Sequence, residues 1–153
     1  MLPIKEQIIR LAIATFVGAI IGLERKYHGK PAGVRTHTIV CIISTMLTIT
    51  SAYGFYSFGQ IDPSRLLANI LTGIGFLAGG VIYSVKEGER KSVYGLTTAA
   101  GIWGVGALGI PIGLGLYPLA ILTVVCIQFI LLLEGVVQKK QGGTEEEEYI
   151  EEE

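Results

Sequence analysis

The chain has 153 residues, half of them hydrophobic and 16% charged, with a formal net charge of −1. That length bounds it at one domain, and the segregation of its charges excludes a soluble helical core, whose helices need polar faces. Seven of the 13 acidic residues fall in the last nine positions, so the first 144 carry 12 basic and six acidic groups. In a membrane chain that excess reports orientation and lipid headgroups rather than nucleic acid.

Five apolar segments are predicted to cross a bilayer, at about residues 7–23, 34–55, 66–85, 95–108 and 117–134. The expected fold is an all-α integral membrane bundle of about five helices, because runs of roughly 18–20 apolar residues match the ~30 Å hydrocarbon core. Between Ile8 and Leu23 the only charged residue is Arg10, and between Leu66 and Val85 there is none. The first segment lacks a small-residue cleavage site after Leu23 and is expected to be retained. Leu11, Thr15, Gly18 and Gly22 share one face of it, and the Gly18/Gly22 spacing suits close helix packing.

Residues 22–40 read GLERKYHGKPAGVRTHTIV and hold Arg25, Lys26, Lys30 and Arg35, with Glu24, His28 and His37, around a Pro31-Ala32-Gly33 bend. The second segment carries a small, polar stripe of Thr38, Cys41, Thr45, Thr48 and Ala52, and Tyr53, Tyr56 and Phe58 near its end suit an aromatic belt. Asp62-Pro63-Ser64-Arg65 then opens the third, where Asp62 can cap the helix. Asn69 and Thr72 follow on one face, beside a Gly75/Gly79 seam.

The fourth segment presents Thr97, Gly101 and Gly104. No charge occurs from Leu96 to Leu133, so the break before the fifth segment is read from the cluster Gly109, Pro111, Gly113, Gly115 and Pro118. The fifth is mostly Ile, Leu and Val and is expected at the periphery. Residues 1–134 form the membrane domain, and the acidic stretch 135–153 is expected to be a disordered tail.

Lys and Arg counts set the orientation. Placing residues 24–35 inside puts nine basic residues on that side and leaves three, Lys5, Arg10 and Arg65, on the other. The N-terminus is therefore expected outside and the C-terminus in the cytoplasm.

No catalytic, metal-ligand or cofactor motif is present, and the chain is read as a non-enzyme. Cys41 and Cys126 are read as small buried hydrophobes. Glu24 ends the first helix and Arg35 begins the second, so an ion pair between them is expected at the cytoplasmic mouth. The topology separates Glu24 from Asp62 by the membrane thickness, so the two do not share one ion.

The blocks GAIIGLERKYHGKPAGVRTHTIV, DPSRLLANILTGIGFLAGGVI and GLTTAAGIWGVGALG, in that order, resemble the MgtC/SapB family of bacterial inner-membrane proteins. The resemblance covers about residues 10–133; the family's GFLGAG block stands here as Gly75-Phe76-Leu77-Ala78-Gly79-Gly80. Because the chain ends in a short tail, it is similar to the short SapB-like form without the soluble C-terminal domain. The resemblance implies a multi-pass inner-membrane protein of magnesium homeostasis, virulence-associated in some pathogens, one branch of which restrains the F-type ATP synthase. It carries functional weight onto Glu24, Arg25, Arg35, Thr36, Asp62, Arg65, Asn69, Thr97 and Thr98.

Two readings stay open. One is a membrane interaction protein that modulates a partner, with small-residue seams for packing and a homo-oligomer, a dimer first, expected. The other is a small oligomeric transporter or channel, with magnesium the first candidate ion; its support is the polar stripe of the second helix together with Asn69 and Thr72.

Overall fold

The computed structural model describes residues 2–55, 62–87 and 90–150, and the side chains among these except at 87, 90, 91 and 134–150. Its elements are α1 (Ile4–Tyr27), α2 (Val34–Ile49) continued by a π-helical turn (Thr50–Gly54), α3 (Ser64–Gly79), β1 (Tyr83–Glu87), β2 (Arg90–Tyr94), α4 (Leu96–Leu114) and α5 (Tyr117–Ile150). The expected helical bundle is present. Ile4–Tyr27, Val34–Gly54 and Leu96–Leu114 are long and apolar enough to cross a membrane, while Ser64–Gly79 and Tyr117–Leu133 are shorter apolar helices. The backbone of α5 continues beyond that apolar part into the acidic stretch.

Glycine ends two of the helices in the same way. At the end of α1, Lys30 N–H reaches Arg25 O and Gly29 N–H reaches Lys26 O, with Gly29 at φ +65°. At the end of α4, Leu116 N–H reaches Pro111 O and Gly115 N–H reaches Ile112 O, with Gly115 at φ +80°. Both pairs are the Schellman arrangement, which satisfies the last carbonyls and needs a left-handed residue.

The α4 terminus corrects the expected break. The helix does not stop at Leu108 but runs to Leu114 with Pro111 inside it. Gly109 and Gly113 are packing positions, not turn residues. A Cβ on Gly109 would lie 2.6 Å from Ser44 Cβ, and one on Gly113 would lie 2.6 Å from Thr48 Cβ. The turn itself is only Gly115-Leu116.

A second correction concerns residues 80–94. The third helix ends at Gly79, and the apolar run after it forms β1, which pairs antiparallel with β2 from Tyr83↔Tyr94 to Glu87↔Arg90. Gly79-Gly80 is a poor helix sequence, and Val81-Ile82-Tyr83-Ser84-Val85 is rich in β-branched and aromatic residues that favour extended backbone. The Tyr83 and Tyr94 rings stack at 5.5 Å.

The buried interior has two parts. Ala14, Val17 and Ile21 of α1 meet Cys41 of α2 and Val105, Leu108 and Ile112 of α4. Ile70, Ile74 and Ala78 of α3 meet Ala99 and Ile102 of α4, together with Ala32. α4 touches all four other helices and is the centre of the bundle. α5 lies at the edge, with Ile121, Leu122, Val125, Phe129 and Ile130 exposed, as its uniform apolar composition led one to expect.

Candidate functional site

Beyond Thr36, the polar face of α2 turns inward. Cys41, Ser44, Thr45 and Thr48 are buried, and the glycines of α4 admit them. Ser44 Oγ donates to Gly106 O at 2.6 Å, Thr45 Oγ1 to Gly109 O at 3.2 Å, and Thr48 Oγ1 to Ser44 O at 2.8 Å. Each of these three hydroxyls donates to a carbonyl oxygen, so the stripe packs over Thr45 and Thr48, whereas the buried Thr38 Oγ1 at its start has no hydrogen-bond partner among the described residues. The α1 side is equally tight. A Cβ on Gly18 would stand 2.6 Å from Thr38 Cα, and one on Gly22 would stand 2.5 Å from Val34 Cα, so the backbones of α1 and α2 are in direct contact.

Not every expected glycine packs. A Cβ on Gly101 would lie 3.2 Å from His37 Nε2 and one on Gly104 would lie 3.8 Å from Ile127, so both glycines face neighbouring side chains. Gly75 has only Trp103 at 4.0 Å, and Gly79 faces open space. Among the described residues, the Gly75/Gly79 seam is thus not a close contact. The glycines that hold α4 to its neighbours are Gly106, Gly109 and Gly113, the last two of which the turn reading had concealed; a Cβ on Gly106 would run into Ile74 of α3.

The candidate residues fall into two groups at opposite ends of α2. At the loop between α1 and α2, Glu24 and Arg25 are both buried. Arg25 Nε and Nη2 donate to the two Glu24 carboxylate oxygens at 2.5 and 2.8 Å, a bidentate pair. His28 Nδ1 lies 2.8 Å from Glu24 Oε1 and 3.0 Å from Glu24 O. The expected Glu24–Arg35 pair is therefore replaced: the carboxylate turns to its own helix, and Arg35 is exposed at the start of α2. A helix residue one position on lies closer than one across the bend, and burial favours the arginine that shares its enclosure. Arg35 and Thr36 instead line a shallow cleft of about 370 Å³ with Lys26, Pro31 and Gly33.

Close to this group lies a residue that sequence reasoning passed over. His37 is fully buried, and its Nδ1 lies 3.0 Å from Gly33 O, which makes Nδ1 the protonated nitrogen. The absent side chain of Gly101 leaves room for its Nε2. The available signal was the i, i+4 relation of Gly33 to His37 combined with a glycine on α4. Thr98, near the start of α4, is buried, and Thr97 beside it is partly so.

At the other end, Asp62 Oδ1 accepts the Ser64 N–H at 2.9 Å, as the capping reading expected. The Ser64 hydroxyl and N–H hold the exposed Asp62 carboxyl below its usual range. Stability drawn from that group is present above the ordinary carboxylate range and is lost as pH falls through the depressed value. Asp62, Arg65 and Asn69 line one cleft of about 310 Å³ with Ser51 and Phe55. The π turn aims two side chains at once, since Ser51 Oγ donates to Pro63 O at 2.7 Å and Tyr53 OH lies 3.2 Å from Arg10 Nη1. Tyr56 and Phe58, the other members of the expected aromatic belt, lie outside the described residues. Among the described residues no group of three or more His, Cys, Asp or Glu side chains converges on a metal-sized site.

Comparison with known proteins adds a consistent set of relatives. A family model described as the MgtC family matches residues 11–140. The chain is 41% identical over 121 residues to the putative magnesium transporter YhiD of Escherichia coli (strain K12), covering 76% of this chain and 54% of that protein. It is 42% identical over 118 residues to protein SapB of Bacillus subtilis (strain 168), covering 72% and 48%. To protein MgtC of Brucella abortus (strain 2308) it is 37% identical over 137 residues, covering 89% and 55%. The chain thus spans about half the length of these relatives. No solved structure matches it. With the family model running from the first helix into the fifth, across the three blocks that frame both groups of polar residues, this membrane chain belongs to the MgtC family.

Proposed function

We propose that the protein serves magnesium homeostasis in the bacterial inner membrane as a non-catalytic, multi-pass partner protein, binding and modulating another membrane complex such as the F-type ATP synthase. The observation that carries this reading is the closed α2–α4 seam, in which Ser44, Thr45 and Thr48 each donate to a carbonyl oxygen. A hydrated divalent ion needs a wet path rich in oxygen ligands, and the close approach of Gly109 to Ser44 and of Gly113 to Thr48 leaves no such path along this seam. The outward side of α3 supplies a contact surface instead: Phe76 is 85% exposed and Gly79 faces open space. The nine-to-three basic asymmetry supports five crossings with the N-terminus outside.

A second reading, a small oligomeric transporter, draws support from the Escherichia coli relative named as a putative magnesium transporter and from the exposed Asn69 on α3. Purified protein in liposomes loaded with a magnesium-sensitive dye separates the two, run beside growth of a low-magnesium-sensitive strain carrying the same variants. The partner reading expects no protein-dependent dye response and loss of growth on Gly79→Leu with little effect of Asn69→Ala. A robust magnesium influx that Asn69→Ala abolishes along with growth, in protein still inserted and abundant, would establish the transporter.

A further inference from the structure

Between α2 and α3 lies an open cleft of about 380 Å³ whose wall is almost wholly apolar, formed chiefly by Val40, Ile43 and Leu47 opposite Ile70 and Leu77. Its single hydroxyl, that of Ser44, is already donated to Gly106 O. From Leu66 to Leu77 the cleft follows α3 for about 16 Å at 1.5 Å per residue, close to the ~15 Å depth of one leaflet's hydrocarbon. What marks the cleft for a lipid and not for a neighbouring helix is the charged rim at its Asn69 end.

Leu66 and Asn69 belong both to this cleft and to the smaller one that carries Asp62 and Arg65. The rim at that end thus holds one cation, one anion and an exposed amide. We propose that the α2–α3 cleft binds a single glycerophospholipid with an amine-bearing zwitterionic headgroup. One acyl chain lies along Val40, Ile43 and Leu47, the phosphate meets the Arg65 guanidinium, and the ammonium meets the Asp62 carboxylate. The guanidinium matches a phosphate in shape and charge, and the positive end of α3 adds to it. Asp62 is what sets the class, because a purely anionic headgroup would face its carboxylate with no compensating cation. The inference rests on the membrane location and is independent of how the protein acts on magnesium.

The test is lipid retention by the purified full-length protein, read by native mass spectrometry after titration with phosphatidylethanolamine or phosphatidylglycerol. One phosphatidylethanolamine per chain is expected to be retained, several-fold in preference to phosphatidylglycerol. Asp62→Asn, which keeps the capping oxygen, is expected to erase that preference, and Arg65→Gln to lower retention of both lipids. Gly73→Phe is expected to remove retention altogether; Gly73 lines the cleft and a Cβ there meets nothing within 4 Å. Helical content of each variant is checked by circular dichroism. Equal retention of the two lipids by the parent, undiminished retention by a folded Gly73→Phe protein, or conversion of a dimer to a monomer by that substitution without loss of lipid would each overturn the proposal.

Discussion

Arg10 Nη1 donates to the carbonyl of Gly113 at 2.6 Å, tying the first helix to the last turn of the fourth. The guanidinium also lies 5.3 Å from the centre of the Tyr53 ring and 3.6 Å from Glu6 Oε2. A buried cation at the carbonyl end of a helix gains from its dipole, so this residue joins α1, the π turn and α4 at one end of the bundle. Arg10→Leu is expected to lower stability in detergent by about 1.5–3 kcal/mol, the usual range for a hydrogen bond to a charged group. Tyr53→Phe removes one acceptor of that charged group while leaving the ring beside it, and is expected to cost about 1.5 kcal/mol, the low end of the same range. Thermal unfolding followed by circular dichroism measures both; an Arg10→Leu protein as stable as the parent contradicts the assignment.

The glycines divide into those that pack and those that do not. Gly18→Ala places a Cβ where Thr38 Cα stands 2.6 Å away, and backbone has little freedom to retreat. Overpacking of that kind costs about 1–3 kcal/mol. Gly79→Ala, into open space, is expected to be neutral or to gain up to ~1 kcal/mol of helix propensity. Denaturation of the two variants side by side gives the comparison, and equal losses would remove the distinction between the two seams.

Glu24 and Arg25 form a buried pair, whereas Arg35 stands outside it. Leaving one partner of such a pair uncompensated costs roughly 3–5 kcal/mol. Glu24→Ala and Arg25→Ala are each expected to destabilise on that scale, and the double variant less than their sum. Arg35→Ala is expected to change stability by no more than ~0.5 kcal/mol. A double-mutant cycle that couples Glu24 to Arg35 and not to Arg25 reverses the pairing described here.

Tyr27, 88% exposed at the end of α1, reports on orientation. With Cys126 replaced and buried Cys41 left in place, Tyr27→Cys is expected to resist an impermeant thiol reagent in intact cells and to react in inverted vesicles. Labelling from outside would invert the topology proposed above.

Long apolar runs with few charges, the capping Asp62 and the small-residue faces of α1 and α2 were decided by local sequence. Periodicity and charge count are properties of neighbours along the chain, so these could be read without coordinates. The polar stripe of α2 was also legible, but not its meaning: only the approach of Gly106, Gly109 and Gly113 shows that its hydroxyls are engaged. Gly109 and Gly113, beside Pro111, looked like a turn because a residue without a side chain serves a bend and a close helix contact equally well. Partner choice was likewise beyond the sequence. Glu24 had Arg25 next to it and Arg35 across the bend, and burial against the rest of the bundle, rather than spacing, selected the neighbour. The hairpin at Tyr83–Tyr94 was missed for a related reason, since the mostly apolar run Val81–Val85 after a glycine pair suits the end of a helix or the start of a strand. Arg10 is the clearest case: from sequence it counts as one charge among the three on its side, and only the folded chain brings the end of α4 within its reach.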